Sequence, residues 1–147
     1  MNPSITYLQE DLLLTIPNLP LEIQKSKKSK YHINMNVFMR SHYTEVAKMK
    51  KLYQKHVQTL LPTIETYTGE FKLLFVYYRP NLITRDLSNM VSVIDKFTVD
   101  VLTQQGIIPD DSVSHIKSVH YYFGGTKKDS HYVDLYLFKH KETIDGI

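Results

Sequence analysis

The segment Glu70 to Arg79 constrains this chain more than any other. Drawn out as a strand, it puts Phe71, Leu73, Phe75 and Tyr77 on one face and Lys72, Leu74, Val76 and Tyr78 on the other. Both sets are largely apolar. A strand with one face in water alternates apolar and polar residues, so this one is expected in the interior of a sheet.

The flanking segments supply what packs around it. Between Arg40 and Leu61, Val46, Met49, Tyr53, Val57 and Leu60 recur at three- and four-residue spacings, the pattern of one helix face. Lys48, Lys51 and Lys55 fall on the opposite face, and Pro62 stops the helix. A second helix is predicted over Asn89 to Gln105, with Met90, Val93, Ile94, Phe97 and Val101 turned to the core and Gly106 as terminator. Ile5 to Ile16, rich in Leu, Ile and Thr, reads as a strand ended by Pro17 and Pro20. Lys25 to Asn36 is polar and basic and reads as a loop. Ser114 to Phe123 and Tyr132 to His140 read as the last two strands, with Gly124-Gly125 opening the turn of an antiparallel hairpin. The order strand, helix, strand, helix, strand, strand predicts an α+β fold: one domain of 147 residues with a mixed sheet and two main helices packed on it.

Composition narrows the function classes. Apolar residues make up 42%, enough for a core, yet no run of about 18 of them exists, so no membrane-spanning helix is expected. Met1-Asn2-Pro3-Ser4 lacks the basic region and apolar run of a secretory signal. The absence of cysteine excludes disulfides, thiol catalysis and cysteine-bound zinc, and it suits a reducing cytoplasm. The net charge of +3 is modest, so the distribution says more. Lys25, Lys27, Lys28 and Lys30 cluster, Lys48, Lys50, Lys51 and Lys55 follow, and Arg79 and Arg85 flank a carboxylate segment. A basic first half suits an anionic polymer such as DNA, whereas a solvated face accounts for any single lysine.

Two carboxylate segments lie at element ends, where metal-binding and catalytic groups tend to sit. Asp86 lies between the central strand and the second helix, and Asp110-Asp111 lies just after that helix. Two readings stand side by side. Asp86 serves as a helix N-cap and Pro109-Asp110-Asp111-Ser112 as a turn. Alternatively, these carboxylates are hard oxygen ligands for Mg2+, which keeps several waters and needs only two or three of them.

The run Arg85-Asp86-Leu87-Ser88-Asn89, then Asp95-Lys96-Phe97 and Asp100-Val101-Leu102, then Gly106-Ile107-Ile108-Pro109-Asp110-Asp111, resembles the signature of RusA-type Holliday-junction resolvases. These are small dimeric endonucleases common in bacteriophages and prophages. The signature reads Arg-Asp-x-Asp-Asn, a helix, then a glycine followed by Asp-Asp. The resemblance covers about 30 residues closely and extends more loosely to the basic loop, the first helix and the final strands. It implies a RusA-like fold, a homodimer, branched DNA as substrate and Mg2+ (or Mn2+) as cofactor. By position it implies Asp86 as the first metal-binding aspartate, Asp111 as the catalytic aspartate of the second motif, and Asp110 as its neighbour. Lys96 matches a helical lysine that acts in catalysis or DNA contact, and Asn89 closes the first motif. Lys25, Lys27, Lys28 and Lys30, with Arg40 and Arg85, would grip backbone phosphates without reading sequence.

Ser88 departs from this pattern, which has a second aspartate there. A serine hydroxyl can face a metal or its water but brings no negative charge. Three outcomes follow: the site works with two aspartates helped by Asp110; Asp95 or Asp100 substitutes, although Asp100 also suits an i,i+4 pair with Lys96; or the protein binds junctions without cutting them. A third class, an interaction protein whose basic surface meets an acidic host partner, also fits the charge pattern. The histidines His32, His42, His56, His115, His120, His131 and His140 show no His-x-x-x-His spacing and are expected at surface or strand positions. Tyr77-Tyr78 and Tyr121-Tyr122 suit core packing, with stacking on exposed bases as the alternative.

Overall fold

The structure is a computed structural model and describes residues 11–140. The chain forms strands β1 (Leu12–Pro20), β2 (Glu22–Ser26) and β3 (Ser29–His32), helices α1 (Met35–Arg40) and α2 (Tyr43–Gln58), strand β4 (Phe71–Arg79), helix α3 (Leu87–Gln104), and strands β5 (Ile116–Thr126) and β6 (Tyr132–Lys139). The main sheet has the order β1-β6-β4-β5, and β2 and β3 form a separate hairpin. β6 runs antiparallel to both β1 and β4, whereas β5 runs parallel to β4. The fold is therefore α+β with a mixed sheet, and β4 lies in the interior of that sheet, as its two apolar faces require.

The main core lies between one sheet face and the helices. Leu73, Phe75 and Tyr77 of β4 and Val133, Leu135 and Leu137 of β6 meet Met49, Tyr53 and Val57 of α2 and Met90, Ile94, Phe97 and Val101 of α3. The opposite face of β4 buries Leu74 and Val76 in a smaller cluster with Phe138, edged by Leu12, Tyr78 and Tyr136. At about 1.5–3 kcal/mol for each large apolar side chain buried, both faces of β4 contribute. Among the described residues no helix is long and apolar enough to cross a membrane.

Several sequence expectations need correction. Ile5 to Glu10 of the first predicted strand lie outside the described residues, and β1 runs through Pro17 and ends at Pro20. β1 is an edge strand, where a missing N–H does least harm. Its register breaks between Ile16 and Leu19, and Asn18 takes a positive φ of 61° there. Lys25 to Asn36 is no loop: it holds most of the β2–β3 hairpin, with Lys27 and Lys28 at its turn, and the start of α1. Polar side chains are compatible with a two-stranded ribbon that buries Tyr31 in the core and packs Ile23 part-way against it. The first long helix begins at Tyr43, capped by the His42 ring, because the chain breaks direction at Ser41 between α1 and α2.

The largest correction concerns the final strands, which do not pair with each other. They flank β4, β5 on one side and β6 on the other. Residues 127–131 cross the end of β4, spanning about 9.5 Å at ordinary strand spacing. The Lys127 N–H anchors this crossing on the Arg79 carbonyl at 2.9 Å. Gly124-Gly125 lies inside β5 at a bulge, where the register passes from Tyr77↔Phe123 to Tyr78↔Gly125. A Cβ on Gly124 would sit 2.6 Å from Tyr78 Cε1 and 2.7 Å from Val76 Cγ1, so the position admits only glycine without repacking.

α3 ends in a paired C-terminal motif: the Gly106 N–H donates to Thr103 O at 3.1 Å and the Ile107 N–H to Leu102 O at 2.8 Å, with Gly106 at φ 71°. Gly106→Ala is expected to lose about 1–2 kcal/mol through the left-handed backbone alone. Gly124→Ala is expected to lose about 1–3 kcal/mol through overpacking. Urea denaturation of the two variants beside the parent protein measures both losses.

Candidate functional site

Asp86 is the N-cap of α3. Its Oδ1 accepts the Asn89 N–H at 3.2 Å, while the carboxylate as a whole is exposed. Asn89 is occupied too: its Oδ1 accepts the Asn36 N–H at 2.9 Å and ties α1 to the head of α3. Ser88 lies exposed in the first turn. At the other end, the Asp110 carboxylate accepts the Ser112 N–H, and this bond holds its pKa below the usual carboxylate range. Asp111 is exposed in the same turn. Both local readings, cap and turn, are therefore realised.

The two carboxylate segments do not meet within one chain. α3 is 18 residues long, which at 1.5 Å per residue is about 27 Å. Asp86 stands at its start, beyond the end of β4. Asp110 and Asp111 follow its end, beside the start of β5, where the Ile116 N–H donates to Ser112 O and the Phe71 N–H to His115 O. Among the described residues no group of three or more His, Asp or Glu side chains is gathered as a metal site. Within one chain, the 18-residue helix between them holds Asp86 and Asp111 apart.

The other candidates are dispersed as well. Lys96 lies about 15 Å along α3 from Asp86 by the same rise, with its ammonium 5.4 Å from the Phe38 ring centroid. Asp100 pairs with Lys50 of α2 at 2.8 Å and not with Lys96. Asp95 accepts a 2.6 Å hydrogen bond from the Tyr121 hydroxyl, and burial raises its pKa. Neither aspartate can stand in for the carboxylate missing at Ser88, because each is committed part-way along α3. Of the hairpin lysines, Lys25 reaches Glu45 at 3.5 Å and Lys30 reaches Glu22 at 3.1 Å, while Lys27 and Lys28 are exposed at the turn. Arg40 is exposed at the end of α1.

Around the head of α3 the structure assembles groups far apart in sequence. An open cleft of about 700 Å³ lies between the β2–β3 hairpin, the β4–α3 loop and the β5–β6 connection. Glu22, His32, Asn34, Asn81, Arg85 and His131 line it. Arg85 donates to Asn81 Oδ1 at 3.0 Å and to Ile83 O at 3.3 Å. Nearby, Arg79 donates from Nε to Thr126 Oγ1 at 2.7 Å and lies over the Phe123 ring. Neither arginine forms an ion pair with a carboxylate among the described residues. Arg79, Arg85, Leu87 and Phe123 also share a small cavity of about 230 Å³, so the end of β5 lies beside the start of α3. His32 and His131 had no sequence signal as site residues, since only tertiary folding brings them beside Arg85.

Among the described residues β5 pairs with β4 alone and leaves an 11-residue edge. Val119, Tyr122 and Phe123 are exposed along it. The chain matches no family model and no curated protein.

Substitution separates the capping role of Asp86 from any chemical one. Asp86→Asn keeps an oxygen acceptor for the Asn89 N–H and is expected to retain nearly all of the stability, whereas Asp86→Ala is expected to lose about 1 kcal/mol. Thermal denaturation of the pair checks the cap, and any activity lost in Asp86→Asn is then free of a folding explanation.

Proposed function

We propose that the protein is a Mg2+-dependent endonuclease of branched DNA that acts as a two-fold dimer, each site using Asp86 of one protomer and Asp111 of the other. The observation that carries this reading is the position of the two family-like carboxylates at opposite ends of α3, next to the two ends of one free edge strand. Antiparallel pairing of two β5 edges about a two-fold axis brings the start of each β5 to the end of the other. Asp111 precedes the start, and the end neighbours the head of α3 that carries Asp86. Unpaired edges with exposed apolar residues are usually covered, which favours such pairing.

The donors suit a hard divalent cation. Asp86 keeps Oδ2 beyond its cap bond, Asp111 is exposed, and Ser88 adds a hydroxyl. A metal held there would supply a more acidic bound water and would offset phosphate charge. The protein's own groups do the rest. Arg79 and Arg85, with no carboxylate partner among the described residues, attract the strand phosphates. Lys27, Lys28 and the exposed α2 lysines Lys48, Lys51 and Lys55 hold the DNA arms by charge. Binding then follows branch shape and weakens with salt.

One observation favours a second reading, a junction-binding protein that does not cut: Ser88 leaves the first motif one carboxylate short. Incubation with a synthetic four-way junction, with and without Mg2+ or Mn2+, decides between them. The expected result is metal-dependent nicking that falls by about 100-fold or more in Asp86→Asn and in Asp111→Asn. Mixing the two inactive variants should restore part of the cutting, because a mixed dimer keeps one intact composite site. Salt-sensitive binding without nicks supports the second reading, and failure to bind any DNA points to a protein partner instead.

A further inference from the structure

We infer that the cleft at the head of α3 is a binding site for one nucleotide unit, its phosphate held by Arg85 and by the imidazoles of His32 and His131. This deepens the nuclease reading and rests on it only for the identity of the phosphate as part of a DNA strand.

The chemistry of the lining selects the ligand. Arg85 is tethered by Asn81 and the Ile83 carbonyl, which orient the guanidinium without neutralising it. An oriented, uncompensated guanidinium is suited to two-pronged recognition of a phosphate. The cleft holds more than a bare ion: about 700 Å³ lies within the range of small-ligand pockets, roughly 300–1,000 Å³. Asn34 and Asn81 add donors and acceptors for the sugar or base edge.

His131 makes the site responsive to protonation. His131 Nε2 lies 2.9 Å from the Tyr77 hydroxyl, and the Tyr77 oxygen also interacts with Arg85. Burial first, and then the Arg85 charge, hold the His131 ring below its usual pKa. His32 Nδ1 lies 3.6 Å from Glu22 Oε1, and Glu22 also bonds Lys30 at 3.1 Å. The charged and titratable groups facing the imidazoles are therefore Glu22 and Lys30 of the hairpin, Tyr77 of β4, Arg85 of the loop and Asp129 of the connection. With both rings neutral, Arg85 and Lys30 balance Glu22 and Asp129 to zero. Protonation of His131 leaves the cleft with a net positive charge. An anion beside Arg85 removes the field that opposes protonation, so binding and proton uptake reinforce each other.

The test is an NMR titration of the His32 and His131 ring signals with thymidine 5′-monophosphate, a short oligothymidylate and inorganic phosphate. Both sets of ring signals are expected to move on binding, and the titration midpoint of His131 to be raised by ligand. Affinity for the oligothymidylate, whose internal phosphodiesters keep one charge throughout, should fall as pH rises and His131 loses its proton. The mononucleotide should bind more tightly than inorganic phosphate. Tighter binding of the mononucleotide than the oligomer assigns a terminal phosphate, the reverse assigns an internal phosphodiester, and either supports the site. Arg85→Gln should abolish binding. Arg85→Lys, which keeps the charge, covers the case in which that variant misfolds, and it should bind more weakly than the parent. The double variant His32→Gln/His131→Gln should bind without the pH dependence. The inference is overturned if no nucleotide moves either imidazole, or if the double variant keeps the pH dependence of the parent. Junction cutting with unmoved imidazoles sinks this site and leaves the nuclease reading intact. Moved imidazoles without cutting do the opposite.

Discussion

Everything else in the molecule follows from how β4 is held. Its backbone is paired on both edges, antiparallel to β6 and parallel to β5. A parallel neighbour cannot be reached by a tight turn, so the chain must travel back along the sheet before β5 begins. α3 is that return path, and its inner face supplies Met90, Ile94, Phe97 and Val101 to the core that β4 needs. The helix must run nearly the length of the strand it covers. The two carboxylate turns at its ends are consequently held apart by the same crossover that buries β4. Separation of Asp86 from Asp111 is thus a consequence of the central strand's own packing, and no local adjustment of loops could close it.

Much of this was legible from residue order, and the misreadings have physical causes. The two apolar faces of Phe71 to Arg79 gave away the interior strand, and the 3.6-residue stripe from Met90 to Val101 gave the helix. Gly106 as terminator matched a left-handed cap. The errors cluster where one residue type serves two physical ends. Gly124-Gly125 has the composition of a turn, but Gly124 is there because Tyr78 and Val76 leave no room for a Cβ. Pro17 looks like a strand breaker, but β1 tolerates it at the edge of the described sheet and ends only at Pro20. Lys25 to Lys30 looks like a loop because a two-stranded ribbon can expose nearly all of its side chains and so carries little hydrophobic pattern.

The candidate site divides in the same way. Asp86, Asp110 and Asp111 sit at element ends in sequence and in the fold, so their positions were readable, whereas their mutual distance depended on strand direction. A helix after β4 fits a parallel or an antiparallel continuation, and the residues themselves do not choose. His32 and His131 could not be found at all from the chain. They are almost a hundred positions apart, and only the hairpin and the β5–β6 crossing bring them to Arg85.

The double duty of Asp86 also bears on the missing carboxylate at Ser88. As an N-cap, Asp86 gives one oxygen to the Asn89 N–H, and the partial positive charge of the helix end further stabilises its anionic form. A second aspartate in the first turn would gain from the same helix end while repelling Asp86. Serine removes that repulsion along with the ligand. With Arg79 and Arg85 unpaired with any carboxylate among the described residues, the head of α3 is left more positive than the family-like pattern would make it. That balance strengthens the hold on a phosphate and weakens the hold on a cation. In the proposed dimer, Asp111 of the second protomer would restore a negative ligand without placing two carboxylates on one helical turn, so that proposal and the serine would meet the same electrostatic problem.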